Sequence, residues 1–201
     1  MKKPVYFVLA AALIAFAAVS TRAADSMPAA GQTAPRFTLP SQTGASISLS
    51  SYLGKWVVLY FYPKDMTSGC TIEAHNFQNA QDQFDAKNAV ILGVSVDSTS
   101  SHQQFCAKDG LTFHLLSDTS HSVVSQYGSL GSYKGVSIAN RNTFLINPQG
   151  TITQVWTNVN PATAASSVLA AIPAAMGGAP PMKDSVKPPG PPTSINAVVS
   201  K

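Results

Sequence analysis

Val57-Val58-Leu59-Tyr60-Phe61-Tyr62 is an unbroken apolar run that halts at Pro63, and seven residues later Cys70 opens a helical pattern. β-Branched and aromatic residues with no polar alternation predict a strand buried on both faces, which demands a layer on either side of a sheet. From Thr71 the period changes, and Phe77, Ala80 and Phe84 are spaced to share one helical face. A short turn closed by Ser68-Gly69 joins the two patterns. Cys70 is therefore expected in the first turn of a helix that follows a central strand. Unpaired backbone N–H groups and the positive end of the helix dipole favour an anion there over a neutral thiol.

The rest of the chain supplies such layers. Phe37–Pro40 and Ser46–Leu49 read as short edge strands around a Ser-Gln-Thr-Gly turn, and Cys70 to Lys87 as one long helix. Ala89–Val96 is a second buried strand. Asp97-Ser98-Thr99-Ser100 offers N-caps for a helix ending at Asp109, with Gly110 as its stop. Phe113–Leu116 predicts a third strand, His121–Tyr127 a short helix, and the Gly/Ser-rich segment 128–140 a loop. Arg141–Ile146 and Thr151–Thr157 are two strands around Asn147-Pro148-Gln149-Gly150, and Asn160-Pro161 is expected to cap and open a last helix to Ile172. This order predicts an α/β, thioredoxin-like fold: a central mixed β-sheet flanked by helices, over residues 24–172.

Both ends differ in composition. Met1-Lys2-Lys3, an apolar stretch of 15 residues from Val5 to Val19, and Ser20-Thr21-Arg22-Ala23-Ala24 read as a signal peptide over 1–23. The stretch is short of the roughly 20 residues that span a bilayer, so export without stable membrane insertion after cleavage is expected. Cleavage after Ala23 removes three of the 13 basic residues and leaves ten against nine acidic ones, a net charge of +1. No Lys/Arg cluster remains, which excludes the electrostatic footprint of a nucleic-acid or anionic-lipid binder. Residues 173–201 hold seven of the 14 prolines and few large apolar groups. That tail is expected to be disordered or polyproline-like.

The chemistry-bearing constellation is Pro63-x-x-x-Thr67-x-x-Cys70 with Arg141 far along the chain. With F-Y-P-K-D-M-T-S-G-C-T-I-E and R-N-T-F-L-I-N, it resembles the peroxiredoxins, and within them the bacterioferritin comigratory protein or peroxiredoxin Q subgroup, from Ala34 to Ile172. The resemblance implies a thiol peroxidase acting on hydrogen peroxide and organic hydroperoxides, without cofactor or metal. It implies Cys70 as the nucleophile, Thr67 as a hydroxyl that holds the peroxide, and Arg141 as the guanidinium beside thiolate and leaving oxygen. By the same likeness Pro63 would shield the sulfur and fix the turn, and the Gly69 and Cys70 N–H groups would complete the donors. Glu73, the only glutamate in the chain, either orients that arginine or is an N3 capping residue.

Oxidation leaves a sulfenic acid that needs a thiol. Many relatives place that thiol five residues after the nucleophile, where this chain has His75. Another branch places it on the later helix, and by that likeness Cys106, 36 residues after Cys70, is the resolving cysteine in an intramolecular disulfide. The alternative is a structural thiol beside Phe105. Two thiols on different helices must approach within disulfide reach, so partial unwinding of both is expected. Ser68 replaces the proline common in T-P-G-C, a small loosening of the turn.

Other classes fit less well. A thiol–disulfide oxidoreductase wants C-x-x-C, but that position is Glu73. A Cys/His metal module would draw on Cys70, His75, His102 and Cys106, spaced C-x4-H and H-x3-C. A relic thiol site in a binding protein is a third class; His114 and His121 read as ordinary surface or strand-end residues. The expected setting is periplasmic, the expected donor a thioredoxin-like dithiol reductant delivered there, and the subgroup implies a monomer.

Overall fold

The computed structural model describes residues 27–174. The leader read over 1–23 and all but the first two residues of the Pro-rich tail lie outside the described residues. In chain order the elements are β1 (Thr38–Pro40), β2 (Ser46–Ser48), β3 (Trp56–Phe61), α1 (Ser68–Asn79), α2 (Gln81–Ala86), β4 (Ala89–Ser95), α3 (Thr99–Asp109), β5 (His114–Ser117), α4 (Ser122–Gln126), β6 (Leu130–Tyr133), β7 (Val136–Ala139), β8 (Asn142–Ile146), β9 (Ile152–Trp156) and α5 (Ala164–Ala171).

The five-stranded sheet runs β5-β4-β3-β8-β9, with β3 at its centre. β3 pairs in parallel with β4 and antiparallel with β8, so the sheet is mixed. The apolar run is divided between two cores by strand alternation. Val58, Tyr60 and Tyr62 join Phe77 of α1, Phe84 of α2, Phe105 of α3 and Val168 of α5. Val57, Leu59 and Phe61 join Phe37, Leu39, Val124 and Tyr127 on the opposite face. Tyr60 stacks on Phe77 with ring centroids 4.7 Å apart, which fixes the height of α1 on the sheet.

Three local expectations are corrected. The helix expected over 70–87 is two helices, broken at Ala80 (φ −96°, ψ 2°), whose carbonyl restarts the hydrogen-bonding by accepting from Gln83 and Phe84 N–H. No Gly or Pro marks that break; it lies between two fully buried rings, Phe77 and Phe84, packed 6.0 Å apart. The stretch expected to be a loop over 128–140 contains the β6–β7 hairpin. Its two-residue turn has positive φ at both Lys134 and Gly135, the primed-turn geometry that suits strand twist. Exposed Leu130, Tyr133 and Val136 gave these strands no buried pattern to read. α5 starts at Ala164, because Asn160 Oδ1 accepts from Ala162 N–H and closes a turn before the helix.

Candidate active site

Two chain segments meet at one end of the sheet's central strands. β3 runs out at Phe61, opposite Asn142 at the start of β8, so residue 141 arrives beside Tyr62 and Pro63. Tyr62 N–H still donates to Val94 carbonyl at 3.1 Å. Pro63, half-buried, has no N–H to continue the ladder. The chain then turns through Met66, whose φ of 56° is left-handed. Thr67 is extended, and α1 begins at Ser68, so the Ser68-Gly69 pair lies within the helix.

Cys70 occupies the first turn of α1 and is 2% exposed. The Thr67 side chain makes no cap to the helix; its hydroxyl donates to Lys64 carbonyl at 3.0 Å, and Thr67 carbonyl accepts from Thr71 N–H at 2.8 Å. With its proton so engaged, Thr67 Oγ1 presents lone pairs to a ligand that donates. The N–H groups of Gly69 and Cys70 belong to the first turn and have no acceptor within the helix.

Arg141 brings the fork of fixed donors. Nη2 donates to Cys70 Sγ at 3.3 Å, while Nη1 is paired with Glu73 Oε2. Its backbone is held by Val159 N–H donating to Arg141 carbonyl at 3.0 Å. Gly69 leaves the room: a Cβ there would stand 3.4 Å from Nη2. Glu73 is wholly buried, and its Oε1 has no partner among the described residues. Burial pushes its carboxyl up to about 7, and the Arg141 charge only partly opposes that. Burial also weighs against the guanidinium, but the charges of Glu73 and Cys70 outweigh it and raise its affinity for the proton. The arrangement therefore sets a thiol, a fixed cation and unpaired N–H donors around one point.

Cys106 lies on α3, half-buried against the core cluster that contains Cys70, and both thiols are free. Burial, then the nearby Asp65 carboxylate, push the Cys106 thiol up to about 12. The structure thus joins Cys70, Arg141 and Glu73 by direct contact, sets Thr67 and Pro63 on the adjoining turn, and leaves Cys106 unbonded to Cys70.

Asp65 was missed from sequence. It is 4% exposed, accepts from Tyr62 hydroxyl at 2.7 Å and Ser101 hydroxyl at 2.7 Å, and lies 2.8 Å from His102 Nδ1. The available signal was a charged residue inside the catalytic turn together with His102 one helical turn before Cys106, beside buried Phe105. The four Cys/His residues weighed as a metal module do not converge: His75 pairs with Asp109 at 3.1 Å and His102 with Asp65. Among the described residues no three His, Cys, Asp or Glu side chains gather as metal ligands do.

Comparison with known proteins gives a consistent picture. Residues 30–155 match the AhpC/TSA family. Peroxiredoxin Bcp of Xanthomonas campestris is 42% identical over 147 residues, which cover 69% of this chain and 91% of that protein. The crystal structure of peroxidoxin BcpB from Mycobacterium tuberculosis superposes with a TM-score of 0.69 at 32% identity, covering 73% of this chain and 97% of the other. Peroxiredoxin Q of Xanthomonas campestris does so with a TM-score of 0.65 at 40% identity, covering 68% and 89%.

Proposed function

This chain belongs to the AhpC/TSA family, as a peroxiredoxin of thioredoxin-like fold that works as a thiol-dependent peroxidase, and we propose that it does so by an atypical two-cysteine cycle through Cys70 and Cys106. The observation that carries this reading is Arg141 Nη2 at 3.3 Å from a sulfur in the first turn of α1. The substrate is a hydroperoxide, hydrogen peroxide or an organic one. Its O–H donates to Thr67 Oγ1, and its oxygens face Arg141 and the Gly69 and Cys70 N–H groups. Cys70 thiolate attacks one oxygen; the O–O bond breaks, and the other oxygen leaves as hydroxide or alkoxide and takes a proton. Fixed donors aimed at that departing oxygen stabilise it without reorganising. Pro63 bounds the turn, and Glu73 holds the guanidinium from its far side.

Cys106 thiol then attacks the Cys70 sulfenic sulfur, forming the disulfide and releasing water. Cys106 lies on α3, unbonded to Cys70, with burial holding its thiol up at about 12; opening of α3 relieves that burial and brings the two sulfurs together. A thioredoxin-type dithiol reductant restores both thiols. The leader pattern over 1–23 supports export to the periplasm, and the domain over 24–172 acts as a monomer there. Mass spectrometry of peroxide-treated protein tests the cycle. Wild type should carry a Cys70–Cys106 bridge and Cys106→Ser an oxidised or mixed-disulfide Cys70; a Cys106→Ser protein that turns over unchanged with a dithiol donor would make it a one-cysteine enzyme.

A further inference from the structure

The helix that carries Cys106 is tied to the turn that carries Thr67 by buried polar contacts. Asp65 Oδ1 accepts from Tyr62, and Oδ2 accepts from Ser101 and His102, both on the first half of α3. Burial would raise the Asp65 carboxyl, but the bonds from His102, Ser101 and Tyr62 reverse that and bring it below its usual value. An ionised carboxylate only accepts, so His102 Nδ1 carries the proton of that bond. His102 is wholly buried, and its Nε2 has no partner among the described residues, so the imidazole is held through one nitrogen. A second tie lies beyond Cys106, where His75 of α1 meets Asp109. Gln78 Oε1 also accepts from Thr112 N–H at 2.7 Å.

We propose that Asp65, Ser101 and His102 form a latch that times the resolving step: it holds α3 against the catalytic turn and so sets how Cys70 sulfenic acid divides between disulfide formation and further oxidation. The inference rests on the reading of Cys106 as the resolving thiol. The competing steps are balanced. In one, Cys106–SH and Cys70–SOH give the disulfide and water. In the other, Cys70–SOH and a second hydroperoxide give the sulfinic acid and the alcohol, or water from hydrogen peroxide. Only the first needs α3 to open. These three are positioning residues, since they touch neither sulfur nor peroxide in the closed form. His102 and Cys106 are four residues apart on one helical face, so release at His102 frees the turn that holds the thiol.

The test uses the full chain, mixed rapidly with hydrogen peroxide and quenched for mass spectrometry, as wild type, His102→Ala, His102→Asn and Ser101→Ala. Cys70 should be oxidised within about twofold of the wild-type rate in all four. Disulfide formation should be about tenfold faster in His102→Ala, equivalent to about 1.4 kcal/mol, and sulfinic acid per turnover should fall in step. Asparagine can still donate to Asp65, so His102→Asn should return both towards wild type. Ser101→Ala removes one bond from the partly exposed side of the cluster and should shift both several-fold in the same direction, even if His102→Ala does not fold. A folded Ser101→Ala or His102→Ala protein with unchanged or slower disulfide formation overturns the latch. Wild type with no Cys70–Cys106 bridge overturns the resolving role of Cys106 and the latch with it, and that result is read without any latch variant.

Discussion

Replacing Arg141 by alanine separates what the guanidinium does for the fold from what it does for the sulfur. The ordinary expectation for breaking a buried ion pair is a loss of about 3–5 kcal/mol. Here the surviving partner has an escape. The Glu73 carboxyl, near 4.5 when unfolded, already stands at about 7 in the fold, so at pH 7 it is half protonated with the arginine present. Without the cation, burial drives it higher still and it binds the rest of its proton. The added charge penalty at pH 7 is then only about 0.5 kcal/mol, and it grows by up to about 1.4 kcal/mol per pH unit to about 3 kcal/mol at pH 9. The rate should respond quite differently. Removing the donor 3.3 Å from Sγ should lower kcat/KM for peroxide about 10²–10³-fold at both pH values. Urea unfolding at pH 7 and 9, beside stopped-flow peroxide reduction, reads the two effects. In Arg141→Ala/Glu73→Gln the pH-dependent loss should vanish while the rate stays low. Recovery of the rate in that double variant, or an equal stability loss at both pH values, would refute the reasoning.

Thr67→Val should lower peroxide kcat/KM about 10²-fold with little change in melting temperature, and Thr67→Ser should keep most of the rate, because only the accepting oxygen is needed. Between pH 4.5 and about 7 the folded protein binds more of the Glu73 proton than the unfolded chain does. Stability from this group is therefore full below pH 4.5 and lost as pH rises to about 7, by about 3 kcal/mol. Urea midpoints across that range should show this slope in wild type and lack it in Glu73→Gln. Gly69→Ala places a Cβ 3.4 Å from Arg141 Nη2 and should slow Cys70 oxidation several-fold, with stability changed by less than about 1 kcal/mol by chemical denaturation.

The central features were legible because local residue types dictate them. Val57–Tyr62 has no polar alternation and became a strand with a core on each face. Ser98 and Gly110 bound α3 as a cap and a left-handed stop should. Cys70 at a strand-to-helix junction needed only the change of period to be found. What escaped reading depends on partners far along the chain. The break at Ala80 has no local breaker. The β6–β7 hairpin leaves Leu130, Tyr133 and Val136 in solvent and buries only Ala139 fully, so only its Lys-Gly turn announced it. Asp65 looked like one more polar turn residue because its partners Ser101 and His102 are 36 and 37 positions away. His102 drew attention as a possible metal ligand, when its burial and its carboxylate neighbour make it part of a polar network.

Cys70 and the arginine that contacts it lie 71 residues apart and meet only because β8 lies alongside β3. The junction of β3 and α1 is local and can form early, but a chain that has built only its first half presents a sulfur without its cation. Recovery of peroxide reactivity after dilution from denaturant should therefore lag behind the return of helical signal and keep pace with the insertion of β8. The protein is armed late, by a strand that joins the centre of its sheet from the far half of the chain.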